Sequence, residues 1–464
     1  MNIADVLSGA AGLEGVQWAL CGPAMRKVLR GQLAALLPPG QLGVCRLDRA
    51  KFKPGRKLTG YYNVDLRAPG AAPDTRPIAV TWTPPGSKDL GPPSPELLEM
   101  QAEAVERGTA APFQQLVAVD PRSGLRVQVS PLDTDFPQLV RLSDPRHVQA
   151  MIAAVYAQEN GAAPPLPARY VITPIRYRPG QRHVLRYDPA GDDGQIDPAG
   201  TLFAKLYEGQ AGADAVRVAG WVADQLDAAR RGVRGLRPKA YIPADAVVLY
   251  PRVVGTPLSA QLQHPDARAA MYLHNAGAAL RALHAAPVPA LAGLEAHDFA
   301  KEIRAIARAA EHVAALLPDV GASIQAMLDR AQEVHARLDP QPTTFVHGDF
   351  KADHLWVTAD GLTLIDFDTC GRAEPALDVG KFLADLQWWY AAYAAPGVEQ
   401  AQAHFLGGYA ATLAAGDLQR ARLYETLVLV KMTVHRVPLF RGDWAGRTTD
   451  LIRRAESILA VAMP

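Results

Sequence analysis

The chain has 464 residues, and its 48 lysines and arginines nearly balance its 47 aspartates and glutamates, leaving a formal net charge of +1. This length fits two or three domains, and the balanced charge argues against a general nucleic-acid or membrane-surface protein. The three cysteines share no metal-binding spacing and no apolar run reaches the ~18 residues of a membrane span, so we expect a cytoplasmic protein without nucleic-acid or membrane partners.

Residues 1–165 are predicted to form a separate domain whose pattern recurs later in the chain. Phe52-Lys-Pro-Gly55-Arg is similar to Tyr177-Arg-Pro-Gly180-Gln, and each turn is followed by a tyrosine-containing strand, a loop and a second strand. We interpret this as an internal repeat. The alternative is that strand-turn-strand patterns recur by chance, because matches this short are common.

Residues 166–255 are predicted to be rich in β-structure. Two strand-like runs are joined by Arg178-Pro-Gly180-Gln181, a turn whose backbone amides could face phosphates. Leu202-Phe-Ala-Lys205-Leu-Tyr207 then places one lysine in an apolar strand, where burial is costly unless an anion meets the charge. Lys205 is therefore a candidate phosphate ligand, and a lysine on the solvated face of a strand is the alternative.

The segment Phe345-Val-His-Gly-Asp-Phe-Lys-Ala-Asp-His354 carries the most chemistry. Asp349 lies in a polar loop after an apolar run, where a carboxylate can accept a proton from an attacking hydroxyl. Asp366 ends a second apolar run and can hold Mg²⁺ against nucleotide phosphates, with Asp368 as a further candidate metal ligand. Ala359-Asp-Gly361 between these runs reads as a hairpin turn that brings Asp349 and Asp366 together.

The motifs of this region occur in a fixed order: His347-x-Asp349, a metal-ligand position five residues on, Asp366, and Glu374-Pro-Ala-Leu-Asp378-Val-Gly. In this order they resemble the kinase-like superfamily, and within it the aminoglycoside phosphotransferases, choline kinases and maltokinases. The resemblance implies an α+β, bilobal protein-kinase-like fold. The β-rich nucleotide lobe would span residues 166–255 and the helical C-lobe residues 256–464, with residues 1–165 as an additional α+β cap.

The resemblance also assigns roles within the segment from His347 to His354, here called the catalytic loop. Asp349 would be the catalytic base and Asp366 the principal ligand of Mg²⁺, while His347 and Asp378 would support the loop. His354 departs from the family, which has asparagine there; it could bind metal, contact a phosphate, or mark a site that has lost activity. Lys351 could lie against the transferred phosphoryl group as a point charge, or be a solvated loop lysine.

For the nucleotide, ATP or GTP, the resemblance points to residues before the catalytic loop. Lys205 would contact the α- and β-phosphates, with Arg178 and Gly180 at the phosphate turn and Tyr250, Pro251 and Val253 at the adenine hinge. The glutamate that usually pairs with this lysine is missing, and the helix predicted from Ala211 to Ala229 offers Asp214 or Asp224 instead. The first copy of the repeat has Val80 or Thr81 in place of Lys205, so we expect the cap to be non-catalytic.

The acceptor site is expected on the helices after Asp378. Trp388 and Trp389 could stack on a sugar ring or receive a cation, although aromatic stripes are more often core. Arg436 is a further candidate, for acceptor binding or for structure. The leading functional hypothesis is an ATP-dependent phosphotransferase acting on a small-molecule hydroxyl, such as that of a sugar, aminoglycoside or amino alcohol. The alternative is a nucleotide-binding pseudokinase or regulator.

Overall fold

The computed structural model describes residues 2–67, 74–160, 167–191, 193–288, 290–291, 294–410 and 413–462. The strands in this part of the chain are β1 Leu42–Lys53, β2 Lys57–Leu66, β3 Asp74–Trp82, β4 Val117–Asp120, β5 Leu125–Val129, β6 Arg169–Arg178, β7 Arg182–Ala190, β8 Leu202–Leu206, β9 Val233–Gly235, β10 Ala240–Ile242, β11 Val247–Pro251, β12 Thr256–Pro257, β13 Glu295–Ala296, β14 Thr344–Val346, β15 Leu355–Thr358, β16 Gly361–Leu364 and β17 Gly371–Ala373. The α-helices are α1 Ile3–Ser8, α2 Gly12–Cys21, α3 Pro23–Ala35, α4 Pro95–Glu106, α5 Leu139–Leu142, α6 Pro145–Asn160, α7 Ala211–Ala229, α8 Leu258–Gln261, α9 Ala267–Ala285, α10 Phe299–Leu316, α11 Pro318–His335, α12 Ala376–Tyr393, α13 Val398–Tyr409, α14 Ala415–Arg436 and α15 Trp444–Ala462. None of the described helices is both long and apolar enough to cross a membrane.

Contacts divide the chain into two compact units. Unit 1 comprises residues 1–212, 239–252 and 438–442, and unit 2 comprises residues 213–238, 253–437 and 443–464. This division differs from the three predicted segments, because unit 1 combines the cap with most strands of the region 166–255, whereas residues 213–238 of that region fall in unit 2. Most of the boundary region predicted near residue 165 lies outside the described residues.

Unit 1 contains two antiparallel five-stranded sheets with the same strand order. The first has the order β1-β2-β3-β5-β4 and the second β6-β7-β8-β11-β10. In each, the first two strands are joined by a turn with a left-handed glycine, Gly55 at φ +70° and Gly180 at φ +69°. A side chain would be strained in this conformation, so the Pro-Gly pair is what permits the tight turn. The shared topology agrees with the predicted internal repeat.

The register of the two sheets identifies equivalent positions. The residue four places after each left-handed glycine is Thr59 in the first sheet, which pairs with Thr81, and Val184 in the second, which pairs with Lys205. Thr81 is therefore the counterpart of Lys205. One hydrophobic cluster combines residues of both sheets, among them Tyr61 and Ala79 from the first and Tyr177 and Leu185 from the second.

Unit 2 is mainly helical and carries the catalytic loop. Helices α12 and α14 are its most buried long helices, and Gly380 lets them approach, since a Cβ there would lie 2.7 Å from the backbone nitrogen of Glu425. Strands β15 and β16 form the predicted hairpin, in which Thr358 pairs with Gly361. A second small sheet pairs β14 with β17, so that the chain leaves Val346 directly into the catalytic loop.

Candidate active site

The catalytic loop is held by the buried carboxylate of Asp378 at the start of α12. Its oxygens accept hydrogen bonds from the backbone N–H groups of His347, at 2.6 Å, and Gly348, at 2.8 Å. His284 of α9 donates from Nε2 at 3.3 Å, and its Nδ1 lies 2.9 Å from the hydroxyl of Tyr409. Burial by itself raises the pKa of Asp378, but His284 and His347 outweigh it and hold the pKa below its ordinary value.

His347 connects the loop that carries Asp349 with the end of the strand that precedes Asp366. Its ring is fully buried, and Nδ1 accepts the backbone N–H of Asp349 at 3.3 Å. Its Nε2 then carries the hydrogen and donates to the carbonyl oxygen of Ile365 at 3.3 Å, one residue before Asp366. The ring therefore bridges the backbone at Asp349 and at Ile365, and its role in supporting the loop stays a prediction.

Asp349 lies between two lysines. Lys351 Nζ is 2.6 Å from one carboxylate oxygen and Lys381 Nζ is 2.8 Å from the other. Burial would raise the pKa of Asp349, yet the ammonium groups of Lys381 and Lys351 hold it well below its ordinary value. The carboxylate is thus ionised and can accept hydrogen bonds throughout the physiological pH range.

Asp366 follows the hairpin in a strained conformation. Its φ is +67°, the left-handed region that non-glycine residues rarely adopt, and such strain is concentrated at functional sites. Among the described residues, Asp349, His354 and Asp366 form a group that could hold a metal ion, with ligand atoms within 4.8 Å of one another. The predicted metal ligand Asp368 does not belong to this group, and Asp349 takes its place.

The donor set fits a hard divalent cation through its two carboxylates, because Mg²⁺ prefers oxygen ligands. His354 Nε2 lies 3.4 Å from Asp366 and 3.8 Å from Asp349. To bind metal through Nε2, the ring must carry its hydrogen on Nδ1, which is buried without a hydrogen-bond partner in the described structure. Nδ1 lacks a partner in either tautomer, so it is the preference of Mg²⁺ for oxygen that favours the two carboxylates over the imidazole.

Burial also decides the charge of His354. It lowers the pKa of this imidazole to about 3, although Asp349 and Asp366 act in the opposite direction. A neutral ring provides no positive charge to attract a phosphate. Of the roles considered from the sequence, the cationic phosphate contact is therefore the one that the environment disfavours.

The predicted acceptor residues lie elsewhere in unit 2. Arg436 donates to Asp385 at 3.1 Å, and Asp385 accepts the backbone N–H of Ala352 at 2.8 Å, so this pair supports the catalytic loop. Trp388 is 8% exposed with the Arg436 guanidinium 5.5 Å from its ring. Trp389 stacks on Tyr393. The role of these side chains in acceptor binding stays a prediction.

A small cavity of about 110 Å³ borders the catalytic loop instead. Gly348, which precedes Asp349, and Lys381, which contacts Asp349, are among its lining residues. Its polar lining includes Asp298, Glu302 and Lys431, with Lys431 Nζ 2.6 Å from Glu302.

The predicted nucleotide ligands are distributed over both units. Lys205 lies in the middle of β8, Tyr250 and Pro251 end β11, and Val253 lies in unit 2. The turn amide of Gly180 donates to Asp133 at 2.8 Å, so this amide has a protein partner rather than facing a phosphate. Arg178 of the same turn has its pKa lowered to about 10 by burial and by Arg49 and Arg176.

The candidate partners of Lys205 bind arginines within unit 2. Asp224 accepts from Arg237 at 2.7 Å, and Asp214 pairs with Arg217. The pairing of Lys205 with either aspartate stays a prediction.

Lys381 is the functional candidate that sequence reasoning missed. The signal was present, because Asp378, Lys381 and Asp385 are spaced at i, i+3 and i+7 and so share one face of α12. Two of the three contact the catalytic loop through backbone amides, and the third contacts Asp349.

Residues 176–424 match the model of the phosphotransferase enzyme family. The chain belongs to this family. The match covers more than half of the chain and begins after the N-terminal cap, so it confirms the resemblance and the assignment as a small-molecule kinase while leaving the cap outside the family region. No curated protein matches the chain significantly in sequence.

Several solved structures are distantly similar. A choline/ethanolamine kinase family protein from Mesorhizobium loti is 15% identical, with 67% of this chain and 94% of that chain covered and a TM-score of 0.42. A macrolide 2'-phosphotransferase from Brachybacterium faecium is 17% identical, with 68% and 98% covered and a TM-score of 0.39. A spectinomycin phosphotransferase in complex with ADP and spectinomycin is 12% identical, with 63% and 92% covered and a TM-score of 0.43.

Proposed function

We propose that this phosphotransferase transfers the γ-phosphoryl group of ATP to a hydroxyl of a small polar molecule, using Asp349 and Asp366. The observation that carries the proposal is the group Asp349, His354 and Asp366, with one lysine on each oxygen of Asp349. In this proposal Asp349 is the base and Asp366 the metal ligand that phosphoryl transfer needs.

Asp349 acts mainly by orienting the acceptor. Its low pKa makes it a weak base, but phosphoryl transfer passes through a loose transition state that needs little proton removal at first. The acceptor oxygen forms a bond to the γ-phosphorus, the bond from that phosphorus to the bridging oxygen breaks, and ADP leaves. The hydroxyl proton passes to Asp349 as the new ester forms.

Lys351 and Lys381 fix the orientation of this carboxylate. Each ammonium binds one oxygen, so the plane of the carboxylate is held before substrate arrives, which lowers the entropic cost of alignment. Lys351 is also placed to stabilise negative charge on the transferred group, because it lies on the loop directly after Asp349.

Asp366 would be the principal ligand of the divalent metal, which would neutralise phosphate charge when bound. His354, neutral in its buried position, would donate from Nε2 to Asp366 and so orient the carboxylate. We propose Lys205 as the phosphate lysine of the nucleotide site.

The acceptor would enter through the cavity beside Gly348 and Lys381. Asp298 and Glu302 offer acceptors for hydroxyl or amine hydrogens, and Lys431 offers a donor. This polar lining and the small volume of about 110 Å³ suit an amino alcohol or one ring of a sugar or aminoglycoside.

The test is ADP release from ATP and Mg²⁺ with a panel of sugars, aminoglycosides and amino alcohols. Asp349→Asn should lower kcat by about 10²-fold or more with little change in nucleotide affinity. The matched control is Asp360→Asn on the exposed turn of the β15–β16 hairpin, which should behave as wild type. Nucleotide binding without ADP release for every acceptor would favour the pseudokinase instead, and loss of ATP binding in Asp349→Asn would make Asp349 structural.

A further inference from the structure

The first sheet of unit 1 carries a polar row across four strands. The register pairs Lys51 with Thr59, Thr59 with Thr81, and Thr81 with Arg126. Residues paired in this way point to the same face of a sheet, so the four side chains form one line. The row lines a cavity of about 610 Å³, here called the cap cleft, together with Lys53 and Lys57.

The composition of this face is unusual for a sheet that is partly covered. A covered face is normally apolar, yet here Thr59 is buried with its hydroxyl 3.4 Å from that of Thr81. Lys51 is itself partly buried, and its ammonium donates to Gln181 at 2.6 Å. The pKa of Lys51 is lowered to about 8 by burial and then by Arg49, Arg178, Lys53 and Lys57. Such crowding of like charges destabilises the fold unless an anion relieves it.

The carboxylates at the cleft do not remove this excess of positive charge. Three aspartates line it, against four lining cations plus Arg49 and Arg178, which act on Lys51. One of the three, Asp133, already accepts from Gly180 N–H at 2.8 Å and lies 2.6 Å from Nε2 of His183. Two hydroxyls flanked by cations form a donor set suited to phosphate oxygens.

The equivalent row of the second sheet contains Lys205. Arg176 pairs with Val184, Val184 with Lys205, and Lys205 with Val248. Compared with that row, the cap keeps the outer cation at Lys51, replaces the central lysine with Thr81, and adds Arg126 in place of Val248. The cap has therefore lost the central lysine without losing a cationic surface on the corresponding face.

We propose that the cap cleft binds a small molecule carrying a phosphate group, with Lys51, Arg126, Thr59 and Thr81 holding the phosphate. The cavity is far larger than one phosphate and lies within the roughly 300–1,000 Å³ range of small-molecule sites. Tyr61, Gln128 and Gln181 extend its polar lining, so the rest of the ligand is also polar. A sugar phosphate and a nucleotide share this chemistry, and this second site is independent of the activity proposed above.

Isothermal titration calorimetry of the full chain with glucose 6-phosphate, ADP and inorganic phosphate tests the site. Lys51→Ala and Arg126→Ala should each weaken binding of at least one ester about tenfold or more, and Thr81→Val about threefold to tenfold. The matched controls are Lys27→Ala on α3 and Arg122→Ala in the β4–β5 turn, both exposed, which remove the same charges elsewhere. Affinity should fall as salt is raised.

A separate measurement guards against misfolded variants. Without ligand, Lys51→Met should melt no lower than wild type, because it removes a crowded charge. The same concentration of ester should raise the Tm of wild type by more than that of the variant.

Loss of glucose 6-phosphate binding in the cleft variants supports a sugar phosphate, and loss of an ADP binding event in the same variants supports a nucleotide. Equal weakening in the two control variants, no binding of any probe, or an unchanged Thr81→Val would overturn the proposal. Inorganic phosphate binding as tightly as both esters would refute the larger ligand.

Discussion

Helices α9 and α13 pack at close range through two glycines, and this contact supports the catalytic loop. A Cβ at Gly408 would lie 2.7 Å from the carbonyl carbon of His274, and a Cβ at Gly277 would lie 2.7 Å from the backbone nitrogen of Tyr409. Carbon atoms in good contact are about 3.5–4.0 Å apart, so Gly408→Ala requires a separation of about 0.8 Å or more. The neighbouring Gly407 has no atom within 4 Å of its virtual Cβ.

The two adjacent substitutions should therefore have opposite effects. Alanine gains about 0.8–1.0 kcal/mol over glycine inside a helix, and Gly407→Ala should show most of that gain. Forcing an extra methyl against backbone costs about 3 kcal/mol at the upper end of the usual range, so Gly408→Ala should lose about 2 kcal/mol net after the helix gain. For a unit of this size that corresponds to a Tm lower by roughly 4–8 °C.

The catalytic activity should also depend on the contact between α9 and α13. Tyr409, next to Gly408, lies 2.9 Å from His284 of α9, which in turn binds Asp378 under the catalytic loop. Separation of the helices lengthens this series of hydrogen bonds, so kcat of Gly408→Ala should fall even at temperatures where the variant stays folded. Thermal melts and urea unfolding measure the change in stability. Measurement of kcat at a temperature 20 °C below the melting midpoint of each protein gives the change in activity. Equal stability of the two alanine variants would refute the packing argument.

Three further outcomes are expected. Lys205→Ala should weaken ATP binding and slow transfer together, and unchanged kinetics would remove Lys205 from the nucleotide site. Asp378→Asn should lower the free energy of unfolding by about 3–5 kcal/mol, because an amide NH₂ replaces one buried oxygen and cannot accept its hydrogen bond. The rate of hydrogen exchange in the segment 344–351 should then rise at least 100-fold. Unchanged protection of this segment would contradict the anchoring role of Asp378. His354→Asn should stay active with Mg²⁺. Since the unfolded chain protonates this imidazole below pH ~6.5 and the folded chain only near 3, wild type should lose more stability than the variant between pH 7 and 5, and equal melting shifts would argue against a buried neutral ring.

The local sequence pattern was sufficient to predict a helix, a hairpin turn and the motif of the catalytic loop. The helix predicted from Ala211 to Ala229 has these bounds in the structure, and the turn at Ala359-Asp-Gly361 forms the β15–β16 hairpin. These features depend on residues close together in the chain, whose periodicity and turn chemistry act over a few positions. The order of His347, Asp349, Asp366 and Asp378 likewise pointed to the phosphotransferase family, which the family match confirms.

Tertiary packing decided which side chains meet. Trp388 and Arg436 were chosen as acceptor candidates by residue type, and only the structure shows that they pack on each other while Arg436 binds Asp385. Lys381 reaches Asp349 only because Asp378 docks the first turn of α12 against the loop. The polar row of the cap is spread over residues 51 to 126, and strand pairing alone brings it together. Contacts between distant segments depend on register and helix docking, which no local period of the sequence encodes.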